Sequence, residues 1–493
     1  MTIRRTFLKM AGASALMLAC PAGVLAGFDP QWNPDRPVAR PIDVSLLDIF
    51  QIGPGPSSSH TIAPMRAGND FLGLMRGLPE RTLEQADSLT VQLFGGLSAA
   101  GRRHGTDKAV AAGLLGVTPE SCTATFMDGL FARPDDVRTV QCGARALPFG
   151  QKNVTFSEGG AGAPRGDVLR IRLWQQSRVL LEREYRSVGG GFLEWQGWKA
   201  PERGVPRHVF DSMNGLLALC ASGQRSLPQI MLENETDITG MQPDDVREKV
   251  AYLIRAMDAS VEAGLNRTGR LKGPYPVDRR AAGMLHLAGE LPAPEDRFLA
   301  RLSACAHAAA EENADGHPVV TAPTAGAAGV MAAAVHLLRR ERDVSDDRLV
   351  DGLLAAAAVG MLAKRHASLA GADVGCQGEI GVASAMTAAL LAQVSGAAPD
   401  VVENAAELAL EHHLGMTCDP VGGYVQIPCI SRCAMGAAKA WNAWLMARAG
   451  MGTRHPVGLD LTIRAMNATG RDLDEKYRGT SRGGLALYYT QGC

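Results

Sequence analysis

The feature that most constrains this chain is a change of hydrophobic period near residue 200. Before it, the segments 90–95 (T-V-Q-L-F-G), 168–174 (V-L-R-I-R-L-W) and 179–185 alternate apolar and polar residues. That is the pattern of half-buried strands. Residues 109–115 have helical spacing, so this first region is α+β. From Val209 onward the alternation fades. Ala/Leu-rich stretches at 351–363, 382–394, 401–414 and 432–451 take helical spacing instead. Each is about a dozen apolar residues flanked by charges, short of the ~20 that a spanning helix needs. They predict buried core helices and no stable membrane span. The fold class expected is an α+β N-terminal region over 42–200, then a predominantly α-helical region over 207–493. The proline-flanked stretch 201–206 divides them.

Composition narrows the function. Lys plus Arg number 50 and Asp plus Glu 51, a balance that argues against a nucleic-acid partner, which calls for a basic excess. Aromatics are only 5% while Gly numbers 56, as suits closely packed helices. Ten cysteines in a long chain do not make a disulfide scaffold, which is short and cysteine-dense. Four of them fall between Cys376 and Cys433, which points to a local metal or cluster site.

The N-terminus reads as a targeting segment. Arg4-Arg5 followed by T-F-L-K matches the twin-arginine export pattern. A broken apolar stretch follows to Leu25, and Val24-Leu25-Ala26 offers a small-residue cleavage site. Residues 1–27 are therefore expected to be a twin-arginine signal and 28–41 a Pro/Asp/Arg-rich linker. The expected location is the periplasm, with the export machinery as a transient partner. A mis-assigned start would leave the protein in the cytoplasm. Cys20 is an alternative lipidation site in a poor lipobox.

Cys376 (G-A-D-V-G-C-Q-G-E), Cys418 (G-M-T-C-D-P-V) and Cys429 (Q-I-P-C-I-S-R-C) each sit beside Gly or Pro. Such positions suit helix ends, where free amides favour anionic sulfur. Thiolates hold iron–sulfur clusters, and three of them leave one iron of a 4Fe–4S cluster open to act as a Lewis acid. Buried free cysteines also serve as small hydrophobes, and spacing alone does not separate the two readings. Cys433, four residues after Cys429, is an alternative ligand.

The ordered motifs G-P-S-S-S-H-T (55–61), H-G-T-D (104–107), S-V-G-G-G-F (187–192), V-V-T-A-P-T (319–324), G-C-Q-G-E (375–379), T-C-D-P-V (417–421) and Y-R-G-T-S-R-G-G-L-A (477–486) together resemble the single-chain iron–sulfur L-serine dehydratases. The resemblance runs from about residue 44 to the C-terminus. It implies L-serine as substrate, pyruvate and ammonia as products, and a 4Fe–4S cluster on Cys376, Cys418 and Cys429. It also implies an N-terminal allosteric substrate-binding region, a homodimer, and a C-terminal cysteine, here Cys493, as a removable fourth ligand. Family members often carry Asn where this chain has Ala325. His366 and Ala370 replace Asn and Ser, and His413 replaces Asn. These departures bear on strict serine specificity more than on dehydration.

Dehydration of serine needs a base for the α-proton, for which His60 and His104 are the candidates. Ser57, Ser58, Ser59 and Thr324 are candidates for binding the substrate. Asp107 is placed to orient His104 or a neighbour. His412 is a weaker candidate, and Lys364 is a further polar candidate near the cluster segment that reads first as a solvated helix lysine. Asn234, Glu235 and Asn313 match family motifs without a derivable role. A pyridoxal-phosphate enzyme would need a Schiff-base lysine and a glycine-rich phosphate loop. Neither Lys272 nor Gly189–Gly191 supplies them, so no pyridoxal phosphate is expected. The alternatives left are a related lyase on another β-hydroxy amino acid or hydroxy acid, and a non-catalytic envelope iron–sulfur sensor.

Overall fold

The computed structural model describes residues 42, 44–157, 166–450 and 455–489. The expected signal with Arg4, Arg5 and Cys20, the linker up to residue 41, and Cys493 lie outside the described residues.

The alternating segments form one five-stranded sheet. Its order is Val154–Phe156, Ser88–Phe94, Val168–Gln175, Arg178–Ser187 and Leu193–Trp195. Ser88–Phe94 runs parallel to the first of these and antiparallel to Val168–Gln175, with Val91 opposite Ile171. Leu89, Val91, Leu93, Leu169, Ile171 and Leu173 face one side and are fully buried, as a period of two requires. The helices Ile62–Arg76 and Thr106–Leu114 pack together at glycines. A Cβ on Gly113 would lie 2.0 Å from the Met65 carbonyl oxygen, so only glycine permits this approach. A separate hairpin, Val137–Cys142 with Arg145–Gly150, carries no clear alternation and is not evident in the sequence.

The Ala/Leu-rich stretches are helices as expected: Asp346–His366, Val382–Val394, Pro399–Glu411 and Cys429–Ala449. Val382–Val394 is apolar all round and buried all round. The third helix stops short of residue 414, where the chain turns through Gly415 at φ +82°. The fourth begins earlier, at Cys429, directly after Pro428. Buried carboxylates satisfy orphan amides at helix starts. Asp460 accepts from Met213 N at 2.7 Å, Glu403 from Leu459 N at 2.6 Å and Glu235 from Leu46 N at 2.9 Å. Among the described residues, no helix is long and apolar enough to cross a membrane.

The apolar residues form two main clusters. One lies between Ala63 and Leu193, and the other joins Ile42–Ile52 to Phe210–Met466. Leu46, Ile49 and Phe50 therefore sit in the helical core. Ile52–Pro54 pairs antiparallel with Pro318–Val320, with Ile52 opposite Val320. The chain leaves the helical body after Pro54 and returns near Arg203, which pairs with Asp48 at 2.7 Å.

Candidate active site

The serine-rich turn lies where the chain leaves the helical body. Asn313 supports it from below, its Nδ2 donating to Pro56 O at 3.2 Å. Thr61 Oγ1 lies 2.6 Å from Pro54 O and 2.7 Å from Ser57 O, its single hydrogen shared between the two carbonyls, which folds the turn onto the start of helix Ile62–Arg76. Ser187 ties it to the sheet by donating to Ser59 O at 3.0 Å.

This turn forms one wall of a cavity of about 850 Å³. Ser57, Ser58, Ser59 and His60 line it, as do His104 and Thr324. Cys376, Cys418 and Cys429 line it from the helical side. One space thus gathers the serine-rich turn, both candidate bases, Thr324 and the three candidate cluster cysteines.

His60 Nδ1 lies 3.0 Å from Ser59 Oγ and 3.2 Å from Ser57 Oγ, and its Nε2 lies 3.2 Å from Gly96 O. Both ring nitrogens are engaged. Burial holds its pKa below the usual histidine value, against the opposing pull of Asp167 and of the Gly96 carbonyl. His104 Nε2 lies 3.0 Å from Gly423 O, while its Nδ1 has no partner. The carbonyl fixes the ring with Nε2 protonated and leaves the Nδ1 lone pair unused. Burial, reinforced by His60, pushes His104 down to about 3. Asp107 does not orient either ring. It accepts instead from Gln151 Nε2 at 2.9 Å. Thr324 Oγ1 is also buried without a partner. Unpaired polar atoms in a cavity wall cost free energy unless a ligand satisfies them.

The three cysteines come from different local structures. Cys376 precedes the π-helical turn Gln377–Gly381, Cys418 lies in a loop bridged to Arg478, and Cys429 opens its helix. None is in a disulfide. Donor atoms of Cys376, Cys418 and Glu379 lie within 4.8 Å of one another. The Cys418 thiol is pushed well up, first by its hydrogen bond with Cys376 and then by burial. Burial, then Cys376, does the same to Cys429. A Cβ on Gly371 would lie 2.9 Å from Cys418 Sγ, so glycine keeps the sulfur's surroundings open. Three cysteine sulfurs on one cavity wall, deprotonated on ligation, are a donor set that fits an iron–sulfur cluster.

Other sequence candidates lie elsewhere. Cys433 is fully buried and contacts Gly326 O at 3.3 Å, outside the cavity lining. The exposed His412 contacts Leu408 O at 2.7 Å. His366 and His413 also bind carbonyls, at 2.6 Å from Asp211 O and 2.7 Å from Ala409 O. Ala325 and Ala370 face the cavity. Lys364 is not the solvated lysine of the sequence reading. It lines the cavity with its Nζ 4.2 Å above the Phe192 ring, and no carboxylate pairs with it among the described residues. Glu379 was missed as a donor, although a carboxylate three residues after a candidate cysteine is a signal for one.

The sequence matches the serine dehydratase beta chain over residues 45–198 and the serine dehydratase alpha chain over residues 223–486. It is 40% identical over 459 residues to an L-serine dehydratase of Streptomyces coelicolor, covering 90% of this chain and 98% of that one. A relative from Escherichia coli, also named an L-serine dehydratase, is 39% identical over 458 residues, covering 90% and 99%. One from Mycobacterium tuberculosis is 40% identical over 469 residues, covering 90% and 98%.

Proposed function

The chain belongs to the serine dehydratase family, with the regions of its beta and alpha chains joined in one polypeptide, and on that premise we propose that it is an iron–sulfur L-serine ammonia-lyase releasing pyruvate and ammonia. The observation that carries the reading is the single cavity into which the serine-rich turn, the histidine pair and the three cysteines all open.

Cys376, Cys418 and Cys429 would hold a 4Fe–4S cluster, with Cys493 as a removable fourth ligand. When bound, the cluster supplies a Lewis-acidic iron that polarises the β-hydroxyl of serine. The chain's own residues do the rest. The hydroxyls of Ser57–Ser59 and the Lys364 ammonium receive the substrate carboxylate, since a half-buried cation with no paired carboxylate among the described residues favours an anion. Thr324 offers its unpaired hydroxyl to the substrate's polar groups. The His60–His104 pair supplies the base for the α-proton. Loss of that proton and of the hydroxyl, as water, leaves aminoacrylate. Tautomerisation to the imine and hydrolysis then give pyruvate and ammonia.

The proposal extends to a homodimer and to twin-arginine export, the latter supported by Arg4-Arg5 and the apolar stretch after them. The test is to assay anaerobically purified protein for pyruvate from L-serine, with D-serine (pyruvate) and L-threonine (2-oxobutyrate) as comparisons. Iron and acid-labile sulfide are measured on the same sample. L-Serine should be the preferred substrate. No pyruvate from a fully loaded preparation would defeat the reading.

A further inference from the structure

The wall of cysteines contains a cation that ties its separate pieces together. Arg432 lies one turn along the helix that begins at Cys429. Its Nη1 is 3.4 Å from Cys376 Sγ and donates to Thr417 O at 2.7 Å. Its Nη2 donates to Asp419 Oδ1 at 2.7 Å. Thr417 and Asp419 are the two neighbours of Cys418. One planar guanidinium, carried by the helix of Cys429, therefore touches the sulfur of Cys376 and brackets Cys418 on both sides. Lysine, a point charge on a flexible stem, cannot reproduce this fork.

Asp419 is buried and anchors the arrangement. Its Oδ1 also accepts from Thr417 Oγ1 at 3.2 Å, and its Oδ2 accepts from Leu485 N at 2.6 Å. The same C-terminal segment pairs with Cys418 itself: Cys418 N donates to Tyr477 O at 2.8 Å and Gly479 N to Cys418 O at 2.7 Å. The segment 477–485 and the guanidinium thus both hold the Cys418 loop.

We propose that Arg432, fixed by Asp419, is the positioning residue that assembles the three-cysteine ligand set and offsets its negative charge. The inference rests on the cluster reading above. Metal ligation needs the thiols deprotonated, and three thiolates beside an anionic cluster concentrate negative charge in a partly buried wall. A fixed cation against one sulfur offsets that charge, and its carbonyl and carboxylate contacts set the spacing of the others. Partners outside the ligand set typically govern metal affinity by about 10–100-fold.

The experiment compares full-length wild type with Arg432→Gln, Arg432→Lys and Asp419→Asn, all reconstituted anaerobically. Circular dichroism monitors folding. The readouts are iron and sulfide content, the lifetime of the visible absorbance in air, and the one-electron reduction midpoint. Arg432→Gln should shorten the cluster lifetime by about 10-fold and lower the midpoint, because removing a nearby positive charge disfavours the added electron. Arg432→Lys should restore the midpoint more fully than the lifetime, as it keeps the charge and loses the fork. A role in packing alone would not move the midpoint in this pattern. If Arg432→Gln does not fold, Asp419→Asn decides: a shortened lifetime supports the inference, and a wild-type lifetime overturns it. A cluster in wild type that is unchanged in both variants overturns the role of Arg432 and leaves the cluster reading standing. A wild type that takes up no iron and sulfide overturns both.

Discussion

His60 and His104 meet edge to face, with ring centroids 4.5 Å apart and planes at 89°. The contact joins two motifs far apart in sequence and leaves one unused lone pair, at His104 Nδ1. Each ring limits the other's orientation, so both substitutions should reach the chemistry. His60→Ala and His104→Ala are expected to lower kcat by ~10²–10⁴-fold, the usual contribution of a positioned base, with the visible absorbance of the cluster retained. Exchange of the serine α-proton with solvent deuterium would identify the acceptor, as the variant lacking that ring should lose exchange altogether. Near-normal rates in both would remove the pair from the mechanism.

The low pKa of His104 makes a statement about stability. The residue titrates at about 3 in the folded chain and near 6.5 when unfolded. Between these values the unfolded chain binds a proton that the native chain does not. The free energy of unfolding therefore falls as pH drops from 6.5 toward 3. At pH 5 this one group should cost about 2 kcal/mol relative to pH 7.5. Urea unfolding of wild type and His104→Gln at the two pH values isolates it. Acid should destabilise the variant less by roughly that amount, and equal acid sensitivity would refute the assignment.

The cysteines should divide by position. Replacing Cys376, Cys418 or Cys429 by Ala is expected to abolish visible absorbance and activity together. Cys433→Ala should keep both, since that sulfur contacts Gly326 O away from the cavity lining. Deleting Gly492 and Cys493 should leave the cluster formed, remove any serine-dependent activation lag and hasten decay in air. A cluster lost on Cys433→Ala and kept on Cys429→Ala would reverse the ligand assignment.

Lys364 is expected to act on binding. A hydrogen bond to a charged group contributes about 1.5–3 kcal/mol, so Lys364→Met should raise KM for serine by roughly 10–100-fold with a smaller change in kcat. Serinol, which lacks the carboxylate, should gain nothing from the lysine. An unchanged KM would place the serine carboxylate elsewhere.

Export is tested by fusing residues 1–27 to a reporter that must fold before transport. The fusion should reach the periplasm, and changing Arg4 and Arg5 to Lys should block it. Retention of the native protein in the cytoplasm would favour a mis-assigned start.

Much of this architecture is legible in the sequence, because burial on one face imposes a period. Leu89, Val91 and Leu93 alternate with polar neighbours, and the strand was evident from them. The alanine-rich helices were evident from the length of their apolar runs, since Val382–Val394 is buried on nearly every side and carries little period of its own. The hairpin Val137–Cys142/Arg145–Gly150 was not, since its burial is uneven and only Val140, Cys142, Leu147, Phe149 and Gly150 are buried. The motifs brought the cavity-lining residues to notice, but not the directions of their side chains. Lys364 read as solvated because a lysine at a helix end usually is, whereas it lines the cavity beside Phe192, a neighbour remote in sequence. Arg432 and Asp419 take their roles from contacts between remote segments, which no local pattern encodes.

The pairing of Ile52–Pro54 with Pro318–Val320 imposes an order on synthesis. When the first strand leaves the ribosome its partner has not yet been made, and the whole sheet-bearing region is translated in between. That region has its own apolar cluster and can fold while it waits. The helical body can close only after residue 320 emerges, and the serine-rich turn takes its final support from Asn313 at about the same moment. A nascent chain arrested before that point would present a folded first region with an unpaired strand end and a half-built pocket. Cut between residues 198 and 223, the two fragments would share one core, because Leu46, Ile49 and Phe50 would travel with the first and their packing partners with the second.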